Sequence, residues 1–226
     1  MALAGGGAIC IWNDITPEGR DEFYAWHLHE HMPERAAIPG FRRGRRYVGL
    51  DAATSPEFFT LYETETAEVQ TSAPYLARLN APTDWTRRAT SAFRNTARAL
   101  SRVEASLGPG AGGLLGTIRF AVAEGREADA AGLIADEALP AAAALPQVTG
   151  AHLCRTDLGA SALKTTESRG RDDIGAAPSW VILVEACNEA PLDRALADLA
   201  AALAPILDGP VLIGRYRFEY ECRIPA

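Results

Sequence analysis

The sequence predicts an α+β fold made of two βαββαβ units that close together into one barrel, with the helices outside. Three observations predict it. EHMPERAAIP (30–39) and EALPAAAALP (137–146) align at an offset of 107, which matches Glu30 with Glu137, Pro33 with Pro140 and Pro39 with Pro146. The same offset runs back to lay GGGAICIWNDI (5–15) on GGLLGTIRFAV (112–122) and forward to lay FRRGRRYV (41–48) on VTGAHLCR (148–155). Further on, SPEFFTLYE (55–63) falls on APSWVILVE (177–185) at an offset of 122, and SRVEASL (101–107) resembles YRFEYEC (216–222). An internal repeat of this kind decides the architecture before any single motif does.

Each half then reads strand, helix, strand, strand, helix, strand. In the first half these are 8–15, 17–32, 41–50, 57–65, 68–80 and 97–107; in the second, 113–122, 127–144, 150–158, 178–187, 190–206 and 210–222. This order is the ferredoxin-like split-βαβ unit, a four-stranded antiparallel sheet with two helices on one face. The bare face must be covered, and two units in one chain cover each other. The expected units are 1–107 and 113–226, joined by a linker at 108–112 in the Gly/Pro-rich LGPGAGG (107–113). No partner chain is needed to close such a barrel, so monomer and homodimer are both compatible with it.

The first strand places Asn13 on the face shared by Ile9, Ile11 and Ile15. The helix after it opens with Thr16 as N-cap and Pro17 at N1. At 100° per residue Phe23, Tyr24, His27, Leu28 and His31 share one side. Their counterparts are Ala130, Ala131, Ile134, Ala135 and Ala138, an apolar stripe, so this side faces the sheet. His29 corresponds to Asp136 and faces solvent.

The second strand carries RRGRR (42–46), with Arg43 and Arg45 on one face and Arg42 and Arg46 on the other. A solvated edge with ion pairs is the plain reading, and a guanidinium at Arg46 holding a carboxylate or enolate the sharper one. Glu63 and Glu185 match in the two copies and read as structural, paired with an arginine of a neighbouring strand. The first half alone has NAPTDWTRRATSAFRN (80–95), where Thr83 caps a helix from Asp84 with Trp85 and Phe93 on one side. It is a cover for a sheet edge or a lid. The second half alone has about 15 extra residues near Gly159–Gly175, polar enough to read as a mobile hairpin loop.

Composition excludes several classes. A net charge of −7 in 226 residues opposes a nucleic-acid partner, and no apolar run is long enough to span a membrane. The start MALAGGGAICIW is a poor signal peptide. Cys10, Cys154, Cys187 and Cys222 stand singly in strand-like runs and read as small buried hydrophobes. A cytoplasmic location is expected. The sequence has no Gly-rich phosphate loop after a strand, no nucleophile elbow and no Cys/His zinc pattern.

One copy serves as a control for the other. Asn13 stands where the second half has Phe120, Arg46 where it has Leu153, and Thr60 and Tyr62 where it has Ile182 and Val184. With His27 and His31 in place of Ile134 and Ala138, the first half is polar at inward positions where the second is apolar. An imidazole at an apolar position costs on the order of 1–3 kcal/mol unless it is hydrogen-bonded. Either these are satisfied packing histidines, or they line a pocket confined to the first half.

The stretch TPEGRDEFYAWHLHEHMPERAAIPGFRRGRRY (16–47) resembles the EthD-like branch of the dimeric α/β-barrel superfamily. Thr-Pro opens the helix, an aromatic precedes Trp26, His31–Pro33 gives His-x-Pro, and IPGF enters the next strand. The likeness covers 8–65 well and the remainder only through the repeat. It implies a small organic ligand between sheet and helices and, among the superfamily's activities, isomerisation, cyclisation, decarboxylation or cofactor-free oxygenation; haem enzymes also occur there. The expected site has His31, Tyr62 and Arg46 in catalytic roles and His27, Asn13, Tyr24 and Trp85 binding a cyclic or aromatic substrate, with no metal and no tightly bound cofactor. A non-catalytic binding protein with the same pocket is the alternative.

Overall fold

The computed structural model describes residues 3–169 and 171–223. Alternation along β1 (Gly7–Ile15) sends Ala8, Cys10 and Trp12 to one apolar cluster and Ile9 and Ile15 to others on the opposite side. The same two-sidedness runs through β2 (Phe41–Gly49), β3 (Phe58–Thr64), β4 (Phe93–Leu107), β5 (Leu114–Phe120), β6 (Val148–Thr156), β7 (Trp180–Ala186) and β8 (Leu212–Cys222). The eight strands form a closed barrel in the order β1-β3-β2-β8-β5-β7-β6-β4, every neighbour antiparallel.

The expected fold class is the observed one. Within the first half the order is β4-β1-β3-β2, within the second β8-β5-β7-β6, and the seams are β2 to β8 and β4 to β6. Registers match as well. Ile11 pairs with Thr60 and Arg98, and Ile118, 107 residues on, pairs with Ile182 and Ile213. Trp12, Tyr47, Phe59 and Tyr216 fill the barrel, and helices cover the outer faces of both sheets.

The long first helix differs from the uninterrupted one that the periodicity predicts. After a 3₁₀ turn at Pro17–Gly19 comes α1 (Arg20–Trp26), then a π turn at His27–His31, then α2 (Met32–Ala36). The remaining helices of the first half are α3 (Ala73–Leu79) and α4 (Asp84–Ser91). The second half repeats the interrupted helix with α5 (Glu127–Gly132), a π turn at Leu133–Ala138 and α6 (Leu139–Ala143). The cause lies in the repeated prolines. Pro33 and Pro140 have no N–H to give the carbonyl four residues back, and their rings crowd it. The turn widens, so that the N–H of Met32 reaches His27 O and that of Leu139 reaches Ile134 O, five residues back. The last helices are α7 (Leu158–Ser161) and α8 (Glu189–Leu203). Thr83 caps α4, its Oγ1 accepting from Thr86 N. No helix among the described residues is long and apolar enough to cross a membrane.

RRGRR is not a solvated edge. β2 has β3 on one side and β8 on the other, so Arg43, Arg45 and Arg46 are buried and only Arg42 is exposed. Gly44 is required because a Cβ there would stand 2.8 Å from the Tyr62 ring. Arg45 lies inside the barrel between the two matched glutamates. Its Nε donates to Glu63 Oε1 at 3.0 Å, and its Nη1 and Nη2 donate to Glu185 at 2.9 and 3.1 Å. Arg43 adds a 2.7 Å bond to Glu63, and His152 stands 3.5 Å from Glu185 with its Nδ1 2.9 Å from Ser106 Oγ. Burial alone would raise the Glu185 carboxyl, but the nearby His152 and the charge and hydrogen bonds of Arg45 hold it down at about 2. Two of the cysteines depart from the buried reading. Cys187 is exposed just beyond the end of β7 and Cys222 is half-buried, whereas Cys10 and Cys154 lie inside the barrel.

Replacing Arg45 with Met leaves two buried carboxylates without their shared cation. The expected cost near neutrality is about 3–5 kcal/mol. Because the folded Glu185 titrates at about 2, below its unfolded value, its contribution is full above the unfolded carboxylate range and is lost as pH falls toward about 2. Denaturant melts should therefore show the gap between Arg45→Met and the parent narrowing on acidification; a gap independent of pH would contradict this account of the network.

Candidate functional site

A cavity of about 550 Å³ lies against the helix-facing side of the first half's sheet. Its floor is Ile11 with its cross-strand neighbours Thr60 and Arg98, and Asn13 stands two residues along β1. Trp26, His27 and His31 form one wall, and Thr90, Phe93 and Thr96 another. In the second half the corresponding space is filled by Phe120, Ile134, Leu139, Leu153, Trp180, Ile182 and Val184.

The π turn sets the histidines side by side. The His27 and His31 rings stack with centroids 5.4 Å apart; His27 also stacks on Phe23 at 5.1 Å, and His31 lies 4.2 Å from the Trp26 ring. Both are buried, and His29 is exposed. Trp26 is anchored from behind, its indole N–H shared between Glu30 Oε1 and Thr86 Oγ1 at 3.1 and 3.2 Å. By contrast, His27 Nδ1, His31 Nδ1 and Asn13 Nδ2 are buried with no hydrogen-bond partner among the described residues. Burial, then the charges of Arg46 and Arg35, pushes His27 well below the usual histidine range. Burial, then Arg35 and His27, does the same to His31. Both imidazoles are neutral near pH 7.

The roof comes from the other half. The extra residues of the second half, expected to be a mobile hairpin loop, are laid across the first half and bonded there. Asp157 N donates to Leu100 O at 2.8 Å, and Ser161 Oγ accepts from Leu100 N at 3.0 Å. Glu167 N donates to Leu79 O at 3.0 Å, and the Glu167 carboxylate pairs with buried Arg35. Thr96 exchanges backbone bonds with Asp173 and Gly175 at 2.8 Å each, and Asp173 binds Arg171 at 2.7 Å. Leu158, Leu163, Lys164, Thr165 and Ile174 of this segment line the cavity. By contrast, α4 packs on α1, and of the expected helical lid only Thr90 and Phe93 reach the cavity.

The structure brings His27, His31, Asn13 and Thr60 together on the cavity and keeps Arg46, Tyr62, Tyr24 and Trp85 away from it. Arg46 is held by Glu219 of β8 at 3.0 Å and lies 4.7 Å over the Tyr24 ring. Tyr62 packs among Ile9, Met32 and Phe41, with its phenol pushed up by burial. Trp85 packs with Phe23, Trp26 and Phe93 behind the wall. Sequence reasoning passes over Arg98, although a signal exists: the β4-to-β8 match puts Ile213 in its place.

No protein-family model matches this chain, and no curated protein matches it in sequence. Solved structures do match in fold. An anthrone oxidase-like protein superposes with a TM-score of 0.65 at 11% identity, covering 96% of this chain and 92% of its own. A monooxygenase candidate from Lactobacillus acidophilus NCFM gives 0.58 at 9% identity, covering 96% of each chain. A haem-binding protein from Thermus thermophilus gives 0.50 at 11% identity, covering 94% and 91%. The shared feature is the ferredoxin-like dimeric α/β barrel.

Two outcomes follow from this geometry. Asp173→Ala should loosen the roof without opening the barrel, so that trypsin cuts sooner after exposed Lys164 while Tm changes little; an unchanged cleavage rate would count against the latch. The histidines give a pH signature. Their folded pKa values lie below the unfolded value near 6.5, so the unfolded chain takes up protons first and stability falls as pH drops below about 6.5. A His27→Phe/His31→Leu double variant should lose less stability than the parent between about pH 7 and pH 5, by up to about 1.4 kcal/mol per pH unit for each histidine removed. Parallel curves would contradict burial of neutral imidazoles.

Proposed function

We propose that this protein is a small-molecule enzyme that uses His31 as a general base on a planar cyclic or aromatic substrate, with no tightly bound cofactor. The observation carrying the proposal is that His31, His27 and Asn13 line one roofed cavity and that each has a buried polar atom without a partner among the described residues. A buried donor or acceptor left unpaired costs about 1–3 kcal/mol, a cost that a bound ligand offsets.

The chemistry follows from protonation states. A neutral imidazole accepts a proton from an acidic C–H or phenolic O–H of the substrate, and burial keeps it neutral until then. The substrate oxygen gains negative charge, and the Asn13 amide N–H donates to it, as a preorganised donor under the roof. Asn13 takes the role first expected of Arg46 or Tyr62, which lie off the cavity. The resulting enolate or phenolate is common to isomerisation, cyclisation, decarboxylation and oxygenation. The name of one fold neighbour, an anthrone oxidase-like protein, agrees with such a substrate, and that of another, a monooxygenase candidate, with oxygenation. The same proposal holds the chain to be a fused tandem pair, units 1–107 and 113–226, on the EthD-like branch and cytoplasmic.

One observation favours a binding protein instead: no carboxylate orients His31, whose Nδ1 has no partner among the described residues. His31→Leu separates the readings. It should fold with an unchanged or higher Tm, while turnover of anthrone-type and hydroxynaphthalene substrates, followed by absorbance, falls at least tenfold, about 1.4 kcal/mol. Tenfold weaker binding with no turnover in the parent would establish the binding protein. Unaltered binding and turnover would overturn the site, and a Soret band in the freshly purified protein would replace the cofactor-free reading with a haem site.

A further inference from the structure

We infer that the ligand of this cavity carries a carboxylate, held by Arg98 of β4 and Lys164 of the roof. The inference rests on the proposed site and names its substrate class: an aromatic or polycyclic acid.

Four charged side chains line the cavity: Arg98, Lys164, Glu167 and Arg171. Two of them are already neutralised. Glu167 is bound to Arg35, and Arg171 to Asp173 at 2.7 Å while lying 5.0 Å over the Phe93 ring. Arg98 and Lys164 have neither an ion pair nor a side-chain hydrogen bond among the described residues. Several other arginines near this site are answered by a carboxylate: Arg20 by Glu57, Arg35 by Glu167, Arg46 by Glu219 and Arg78 by Glu34. In a chain of net charge −7 with 29 acidic residues, two unanswered cations on one cavity are a local excess of positive charge.

The placement of Arg98 supports the same conclusion. On one side it pairs with Ile11; on the other, β4 does not meet β6 until Ser101, and the roof occupies that gap at Thr96 and Ile174. The guanidinium therefore stands at the junction of sheet and roof, half-buried. The symmetry control is direct. Ile213 occupies this register position in the second half and pairs with Ile118 as Arg98 pairs with Ile11; it is exposed there, beside a space filled by other apolar side chains, whereas Arg98 is half-buried under the roof. A planar fork offering paired N–H donors suits a carboxylate, and Lys164 adds a mobile charge from above. Trp26, Phe93, Ile11 and Ile174 supply the apolar wall for the rings. Arg46, with its charge taken by Glu219, cannot fill this role.

The test compares 2-naphthoate with its neutral isostere 2-naphthamide by calorimetric or fluorescence titration on the full chain. The parent should bind the carboxylate at least tenfold more tightly than the amide, and added salt should narrow the difference. Arg98→Met keeps the aliphatic stem and should abolish the preference while leaving amide affinity unchanged. Arg98→Lys should restore part of it, and Lys164→Gln should reduce it several-fold. Equal binding of both probes to the parent, or a preference that survives in Arg98→Met, would overturn this inference and leave the cavity reading standing. Binding of neither probe would remove the cavity reading and this inference with it.

Discussion

Arg45 is the constraint on which the rest of the molecule depends. Closing two four-stranded sheets into one barrel buries the inner faces completely, and those faces carry Glu63 and Glu185 at matched positions. A buried carboxylate costs several kcal/mol without a counter-charge. One guanidinium serves both, binding Glu63 of its own sheet and Glu185 of the other. The position equivalent to Arg45 is His152, which stands by Glu185 but cannot replace a fork that reaches across. The N–H of Ala4 and that of Gly112, near-equivalent points before the first strand of each half, also donate to Glu63 and Glu185 respectively. The ion cluster therefore fixes the two sheets and the two entering segments against one another, and the outer faces inherit that geometry.

On this frame the outer faces diverge. Both halves have the proline-driven π turn, so the turn belongs to the fold and is not itself a functional mark. What differs is the content of the turn: His27 and His31 against Ile134 and Ala138. Aliphatic side chains in the second half interlock into a filled layer, whereas flat rings stacked on one another in the first leave space beside them. The same backbone yields a packed core on one side and a cavity on the other, through side-chain shape and polarity alone.

The sequence exposes this arrangement unevenly, and the reasons are physical. Strand order, the first-half location of the cavity and the inward turn of His27 and His31 all follow from a local periodicity compared between copies. Long-range pairing is hidden from that comparison. Arg46 looks free in the sequence because its partner, Glu219, belongs to a strand of the other half. The roof reads as a loose loop because its anchors, Leu79, Asn80, Thr96 and Leu100, lie far away along the chain. An insertion has no counterpart, so the copy-against-copy control says nothing about it. Arg98 is the opposite case: the control covers it through Ile213, once the alignment is extended to the last strand.

Joining both units in one chain explains why such asymmetry can arise. In a barrel made of two identical chains, any substitution appears twice, and a roof segment would cover both outer faces alike. Here the second half contributes an extended β6–β7 connection to the first half's cavity, while the first half's corresponding connection, residues 50–57, is too short to do the same in return. The second half can then fill its own face with Leu and Ile for stability. The first half bears the cost of buried polar atoms, and the shared ion cluster and the filled second core offset it. A filled layer on one outer face and a roofed cavity on the other thus go with one inserted segment, with the barrel itself unchanged.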